Sequence, residues 1–269
     1  MKAGFIERSL RKLASESDYA ASAERIGAGK GLLQRVDPRV KVAGLFGLVI
    51  VAAASRQLPV IAVLFSAAFI LALASRIPVG RLAVWIWTPV LFFTGTVALP
   101  ALFITPGRVV AALGPVSITA EGLHSAIMLL SRAETAATLS GLLVLTTPWP
   151  AVLRALRTFH LPVVFVVILG MTYRYIFVIL QSAFEMMESR RSRSVGPLAP
   201  AERRRIAASS VGVLLSKSLQ LSGDVHLAMQ SRGFRGEVRL LEDFQAKASD
   251  WVWLGGFAAL AAAVVWWQR

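Results

Sequence analysis

The chain has 269 residues, 56% of them hydrophobic and only 16% charged, with a mean hydropathy of +0.64; that balance excludes an ordinary soluble domain and indicates a polytopic membrane protein. The formal charge of +14 does not indicate nucleic acid, because the basic residues sit at the margins of apolar segments, as the positive-inside rule requires. There is no cysteine, which rules out a disulfide framework or a thiolate metal site, and His124, His160 and His226 lie too far apart to form a ligand pair at helical spacing.

In chain order, residues 1–36 carry no apolar run of the signal-peptide type. Phe5, Ile6, Leu10 and Leu13 recur at helical spacing beside Arg8, Arg11 and Lys12, which predicts a short amphipathic helix on a membrane surface or a partner. Spans of about 20 apolar residues are expected near 40–56, 58–75, 82–104, 121–145 and 250–267. Pro89 and Pro100 are expected to bend or break the third, and residues 105–120, with Pro106, Gly107, Gly114 and Pro115, read as a loop. Arg132 and Glu134 fall inside the fourth span. Two residues apart, they face different sides of the helix and cannot pair, so each is expected to tie that helix to a neighbour or to the long cytoplasmic helices, a proton or ion path being the alternative.

The apolar stretch 163–180 has arginines on both flanks: Arg154 and Arg157 before it, Arg190, Arg191, Arg193 and Arg203 to Arg205 after it. A crossing there would place one basic cluster on the wrong side and Arg174 deep in lipid. The expectation is one long helix from Pro162 to about Val195, oblique at the cytoplasmic side, and five crossings in total. After Gly196-Pro197, a second long helix should run from Ala201 to Ser231, with Val211, Leu214, Leu215, Ser218, Ser222, Val225 and Met229 as its packing seam. Before them Pro148-Trp149-Pro150 opens a short helix, with Leu153, Leu156 and Phe159 toward the membrane. The organisation is an all-α membrane protein with an N-terminal arm (1–36), four transmembrane helices (37–145), a cytoplasmic helical region (146–249) and a last transmembrane helix (250–269). Trp149, Trp251, Trp253, Trp266 and Trp267 read as an interfacial belt.

Each long helix ends in an arginine between small residues, Ser192-Arg193-Ser194 and Ser231-Arg232-Gly233. An unobstructed guanidinium can enter a partner's groove and meet carboxylates or carbonyls there; the ordinary alternative is a helix cap. The two ends are expected to face one cytoplasmic partner surface. Glu185 and Glu188 are expected in structural ion pairs with Arg191 or the second helix. No phosphate-binding glycine loop, metalloprotease motif or carboxylate pair is present, so no catalysis is expected of this chain.

Asp37-Pro38-Arg39-Val40-Lys41, Thr146-Thr147-Pro148, Tyr173-Arg174-Tyr175, Ser189-Arg190-Arg191-Ser192-Arg193 and Ala228-Met229-Gln230-Ser231-Arg232-Gly233-Phe234 together resemble the transmembrane T component of energy-coupling-factor (ECF) transporters over nearly the whole chain. Phe5-Ile6-Glu7-Arg8 and Gly31-Leu32-Leu33-Gln34-Arg35 make it similar to the cobalt-transport branch, CbiQ. The resemblance implies a multi-pass protein of the bacterial inner membrane, N-terminus inside, that couples two cytoplasmic ABC ATPases to a membrane subunit capturing the substrate. ATP and magnesium would belong to those ATPases, and this chain would hold no cofactor. It further implies that Ser192, Arg193, Ser194, Ser231, Arg232 and Gly233 dock the ATPases, supported by Glu185, Glu188, Arg174 and Met229; serine stands for alanine in both motifs and for glycine in the first. Cobalt is the implied substrate, with nickel or a vitamin as alternatives. A membrane enzyme using Arg132, Glu134 and Arg174 on an anionic lipid is the reading from another class.

Overall fold

A computed structural model describes residues 29, 31–105, 108–113, 116–159, 161–193, 199–234 and 248–267. The amphipathic helix expected over 5–13 and Ser194 lie outside them. The helices are α1 (Pro38–Ala54), α2 (Leu58–Ala74), α3 (79–104), α4 (Ala120–Thr146), α5 (Trp149–Thr158), α6 (Val163–Arg193), α7 (Pro200–Ser231) and α8 (Ala248–Trp267). A short antiparallel hairpin, β1 (Val109–Leu113) and β2 (Val116–Thr119), joins α3 to α4. Two compact units divide the chain, one within Leu156–Asp243 and one within Glu24–Ala155 and Phe244–Arg269.

In the second unit α4 packs against α1, α2 and α3, and α8 against α1. Asp37 starts α1 by accepting the Arg39 N–H at 2.7 Å, with Pro38 in the first turn, where the lost donor is an orphan anyway. Buried positions recur at three-four spacing, Val60, Ile61, Leu64, Ala68 and Ala72 on α2 and Thr135, Thr138, Leu139, Leu142 and Leu145 on α4. Many of the residues inside are small, while Phe92 and Phe93 are 77% and 73% exposed. That distribution suits lipid, where apolar surface gains nothing by hiding and close backbone approach is what holds helices together. The hydroxyls of Ser55, Ser66, Thr96, Thr135, Thr138 and Thr146 each donate to a carbonyl one turn back, so these six are satisfied without help from lipid.

The third apolar segment is not broken at its prolines. A π-helical turn, Ala83–Trp87, sits just before Pro89, and the Thr88 N–H and hydroxyl both donate to Ala83 O, the hydroxyl at 2.8 Å, so the wider turn closes immediately before the residue that has no N–H to give. Pro100 is carried inside the last stretch, Thr88–Ile104. The expected loop 105–120 is also corrected, since its arms Val109–Leu113 and Val116–Thr119 pair as a hairpin, Leu113 opposite Val116 and Val109 opposite Thr119. Thr119 then caps α4 by accepting from Gly122 N–H at 3.1 Å.

Four helices have the length and apolar composition of a membrane span: Val79–Pro100, Ala120–Thr146, Val163–Arg193 and Ser249–Trp267; α2 is apolar but shorter. The third of these is the segment that its flanking arginines argued against as a crossing. This is a polytopic helical membrane protein.

A Cβ at Gly44 would run into the Phe257 ring, which shows how closely α1 and α8 approach. Gly44→Val should therefore destabilise the bundle by roughly 1–3 kcal/mol. Thermal unfolding in detergent, followed by tryptophan fluorescence, checks it; an unchanged midpoint would mean that the helices have room to part.

Candidate functional site

Leu156–Asp243 contains the two long helices. α6 has 31 residues and α7 has 32, each about 47 Å at 1.5 Å per residue. Arg190 Nη2 on α6 donates to Ser209 Oγ on α7 at 2.9 Å. Near the other end Val164, Met171 and Tyr175 of α6 share a cavity with Val225 and Met229 of α7 and with Phe234. The pair is thus an antiparallel hairpin, late α6 beside early α7 and early α6 beside late α7. Ala183 and Ser210 are the only residues buried on α6 and α7 among those described, small side chains where the helices run close. Beyond them the helices leave a cavity of about 520 Å³, lined mostly by apolar side chains.

This geometry corrects the expectation that both arginines meet one surface. Arg193 is the last residue of α6 and Arg232 follows the last residue of α7, so an antiparallel pair puts them at opposite ends. Both are exposed, as are Ser192, Ser231 and Gly233.

The end of α7 is built by its own sequence. Gly233 has φ +77, the left-handed conformation that glycine adopts without Cβ strain. It lets Phe234 N–H reach Met229 O at 3.1 Å while Gly233 N–H reaches Gln230 O at 2.9 Å, the paired bonds of a Schellman cap. Met229 and Phe234 both line the cavity. The carbonyls are satisfied by backbone N–H groups, so the Arg232 guanidinium is not needed as a cap. At the end of α6, Ser192 Oγ donates to Ser189 O at 2.8 Å, and Arg190 holds α7.

The supporting residues divide. Met229 belongs to the cap and cavity. Arg174 is exposed between Tyr173 and Tyr175, and Tyr173 packs edge-on against Phe177, ring centres 5.1 Å apart. The expected ion pairs of Glu185 and Glu188 are absent among the described residues: Glu185 accepts from Gln181 Nε2 at 3.0 Å, one turn away, and Glu188 is exposed. A carboxylate one helical turn from an amide is satisfied locally and has no need of the second helix. The seam of α7 is corrected too. Leu214, Ser218, Val225 and Met229 face inward, but Val211 and Leu215 are 65% and 59% exposed, and Ile206, Ser210 and Leu221 complete the inner face.

In the other unit, Arg132 Nη2 donates to Ser55 O at 2.5 Å, the C-cap of α1. That is the inter-helix tie expected of it, with cation placed at a helix C-terminus. Both Glu134 carboxyl oxygens are buried without a hydrogen-bond partner, and no tie of that kind is formed. Sequence reasoning gave no role to Lys41, which is 2% exposed and donates to Thr146 O at 3.1 Å. A lysine inside an otherwise apolar helical face was the available signal.

Residues 29–241 match the family of the cobalt transport protein CbiQ. An uncharacterized protein of Methanocaldococcus jannaschii is 32% identical over 244 residues, 89% of this chain and 84% of its own. The cobalt transport protein CbiQ of Rhodobacter capsulatus is 30% identical, over 66% of this chain and 73% of its own. The energy-coupling factor transporter transmembrane protein EcfT of Listeria innocua is 25% identical, over 77% and 82%. The fold is that of a multi-helix membrane protein, and the chain belongs to the CbiQ cobalt transport family.

Two substitutions test this geometry. Gly233→Ala, strained in the left-handed region by about 1 kcal/mol, should raise hydrogen exchange at the Gly233 and Phe234 amides severalfold; unchanged protection would mean that the cap does not hold this end. Arg132→Gln should lower bundle stability by roughly 1–3 kcal/mol whereas Glu134→Gln should leave it level or higher, since the carboxyl has no partner to lose. Thermal midpoints in detergent decide between these and the reverse order.

Proposed function

We propose that this chain is the transmembrane coupling component of an ECF-type importer, carrying the motion of two cytoplasmic ATPases to a membrane subunit that captures cobalt ion. The observation that supports this best is the α6–α7 hairpin, with an exposed arginine at each far end and an apolar cavity between the helices. Two separated arginines suit two separate ATPases. Ser192-Arg193 with Ser194, and Ser231-Arg232-Gly233, would each enter one ATPase groove, where a guanidinium with small neighbours can form a fork of charged hydrogen bonds.

ATP and magnesium are held by the ATPases in this reading, and the chain is not an enzyme. When ATP draws the ATPases together, the anchored ends are pulled toward each other and the crossing of α6 and α7 changes. Met171, Tyr175, Val225 and Met229 line a cavity that then changes shape, and a subunit seated against it gains or loses contact. Such differential contact in two states is what coupling requires. In this reading the N-terminus and region 146–249 belong to the cytoplasmic side of the inner membrane, with α6 lying obliquely there in spite of a composition that fits a span, because arginines flank it on both sides.

The test is co-purification with the ATPases, combined with ATP-dependent cobalt uptake. Arg193→Glu and Arg232→Glu should each weaken retention by about 2 kcal/mol, the scale of a buried hot spot, and the double variant should abolish both retention and uptake. Variants that bind and transport like wild type would reduce both arginines to solvated helix ends.

A further inference from the structure

Two motifs take no part in docking yet meet at one end of the bundle. Lys41, from Asp37-Pro38-Arg39-Val40-Lys41, reaches across 105 residues of sequence to donate from Nζ to the carbonyl of Thr146, in Thr146-Thr147-Pro148, at 3.1 Å. Thr146 is the last residue of α4, where carbonyls have no partner within the helix and the dipole is negative. Asp37, one turn before Lys41, caps α1 through Arg39 N–H, and its own N–H donates to Asp250 Oδ1 in the first turn of α8 at 3.1 Å. Lys41 and Asp250 are 2% and 4% exposed. Three helix ends are therefore fastened together in a buried clasp.

The location matters because α4 ends there and the chain turns at Pro148 into α5. The Pro148 carbonyl accepts the first N–H groups of α5, from Ala151 at 2.9 Å and Val152 at 3.2 Å. From α5 the chain continues directly to α6. This is one of two covalent routes between the bundle and the long helices. The last turn of a helix frays easily because its carbonyls are unpaired, so a pull through α5 would unwind α4 unless something held it. A buried ammonium is costly, and an apolar side chain of similar volume fills the same space at no such cost; packing alone does not call for lysine here.

We propose that Lys41 is a positioning residue for transport: it fixes the end of α4 so that motion of the α6–α7 pair is delivered to the substrate-capturing subunit and is not lost in unwinding. This rests on the coupling role proposed above. The readout is ATP hydrolysed per cobalt ion taken up by the complete complex in proteoliposomes. Lys41→Met should retain the ATPases but hydrolyse roughly tenfold more ATP per ion, and Lys41→Arg should restore most of the coupling. Leu142→Ala, a cavity in the buried face of α4, should lower stability without changing the ratio. If Lys41→Met does not assemble, Lys41→Gln takes its place, with a smaller rise expected. An unchanged ratio in the Lys41 variant, or an equal rise in Leu142→Ala, overturns the proposal. A wild-type complex without ATP-driven cobalt uptake overturns the coupling reading, and this one with it.

Discussion

Six residues, 194–199, join two helices of 31 and 32 residues, and that length constrains everything argued about them. Fully extended, so short a connection spans roughly 25 Å at most, about half of either helix. Contacts at both ends set the helices side by side, and a connection this short then leaves only the antiparallel arrangement. Because the chain runs out along α6 and back along α7, the C-terminal arginines are parted to the two ends of the hairpin. A longer linker would have allowed them to lie together. The separation of the two arginines thus follows from side-by-side packing joined by a short linker.

The bundle around α4 obeys a different rule. Leucines such as Leu45, Leu64 and Leu142 lie between the helices together with small and hydroxyl-bearing residues, other large apolar ones such as Phe92 and Phe93 face outward, and hydroxyls such as those of Thr135, Thr138 and Thr146 are returned to their own helix. What distinguishes one helix end from another is then the few strong polar contacts: Arg132 on the end of α1, Lys41 on the end of α4, Asp250 beneath Asp37. Each sits at a helix terminus, where backbone groups are unpaired and a charged partner is worth most. Glu134 is the exception, a carboxyl in the same bundle whose buried oxygens have no hydrogen-bond partner.

Much of this was legible in the residues. The bounds of α6 and α7 follow from Pro162, the Gly196-Pro197 break and Gly233, because proline and glycine punctuate helices for steric reasons that operate locally. The Schellman end was legible for the same reason. The inner face of α7 was less so: apolar residues lie on several sides of this helix, so Val211 and Leu215 fit a three-four pattern while facing outward. The β-hairpin was hidden by Pro106-Gly107 and Gly114-Pro115, pairs that mark a loop and a tight turn alike. The link from Lys41 to Thr146 was not legible at all, since nothing in either segment specifies a partner 105 residues away.

The central claim is that α6 and α7 act as a hinged pair whose far ends are drawn together by ATP. The chain has no cysteine, so spin labels at Glu188→Cys and Leu227→Cys, both exposed positions outside the docking motifs, report on this pair alone. With Arg190 beside Ser209, the two sites lie about 25 Å apart along the hairpin at 1.5 Å per residue. Distances measured in the complete complex should shorten when a non-hydrolysable ATP analogue binds and lengthen again when it is removed. An identical distance distribution in both states would contradict the account.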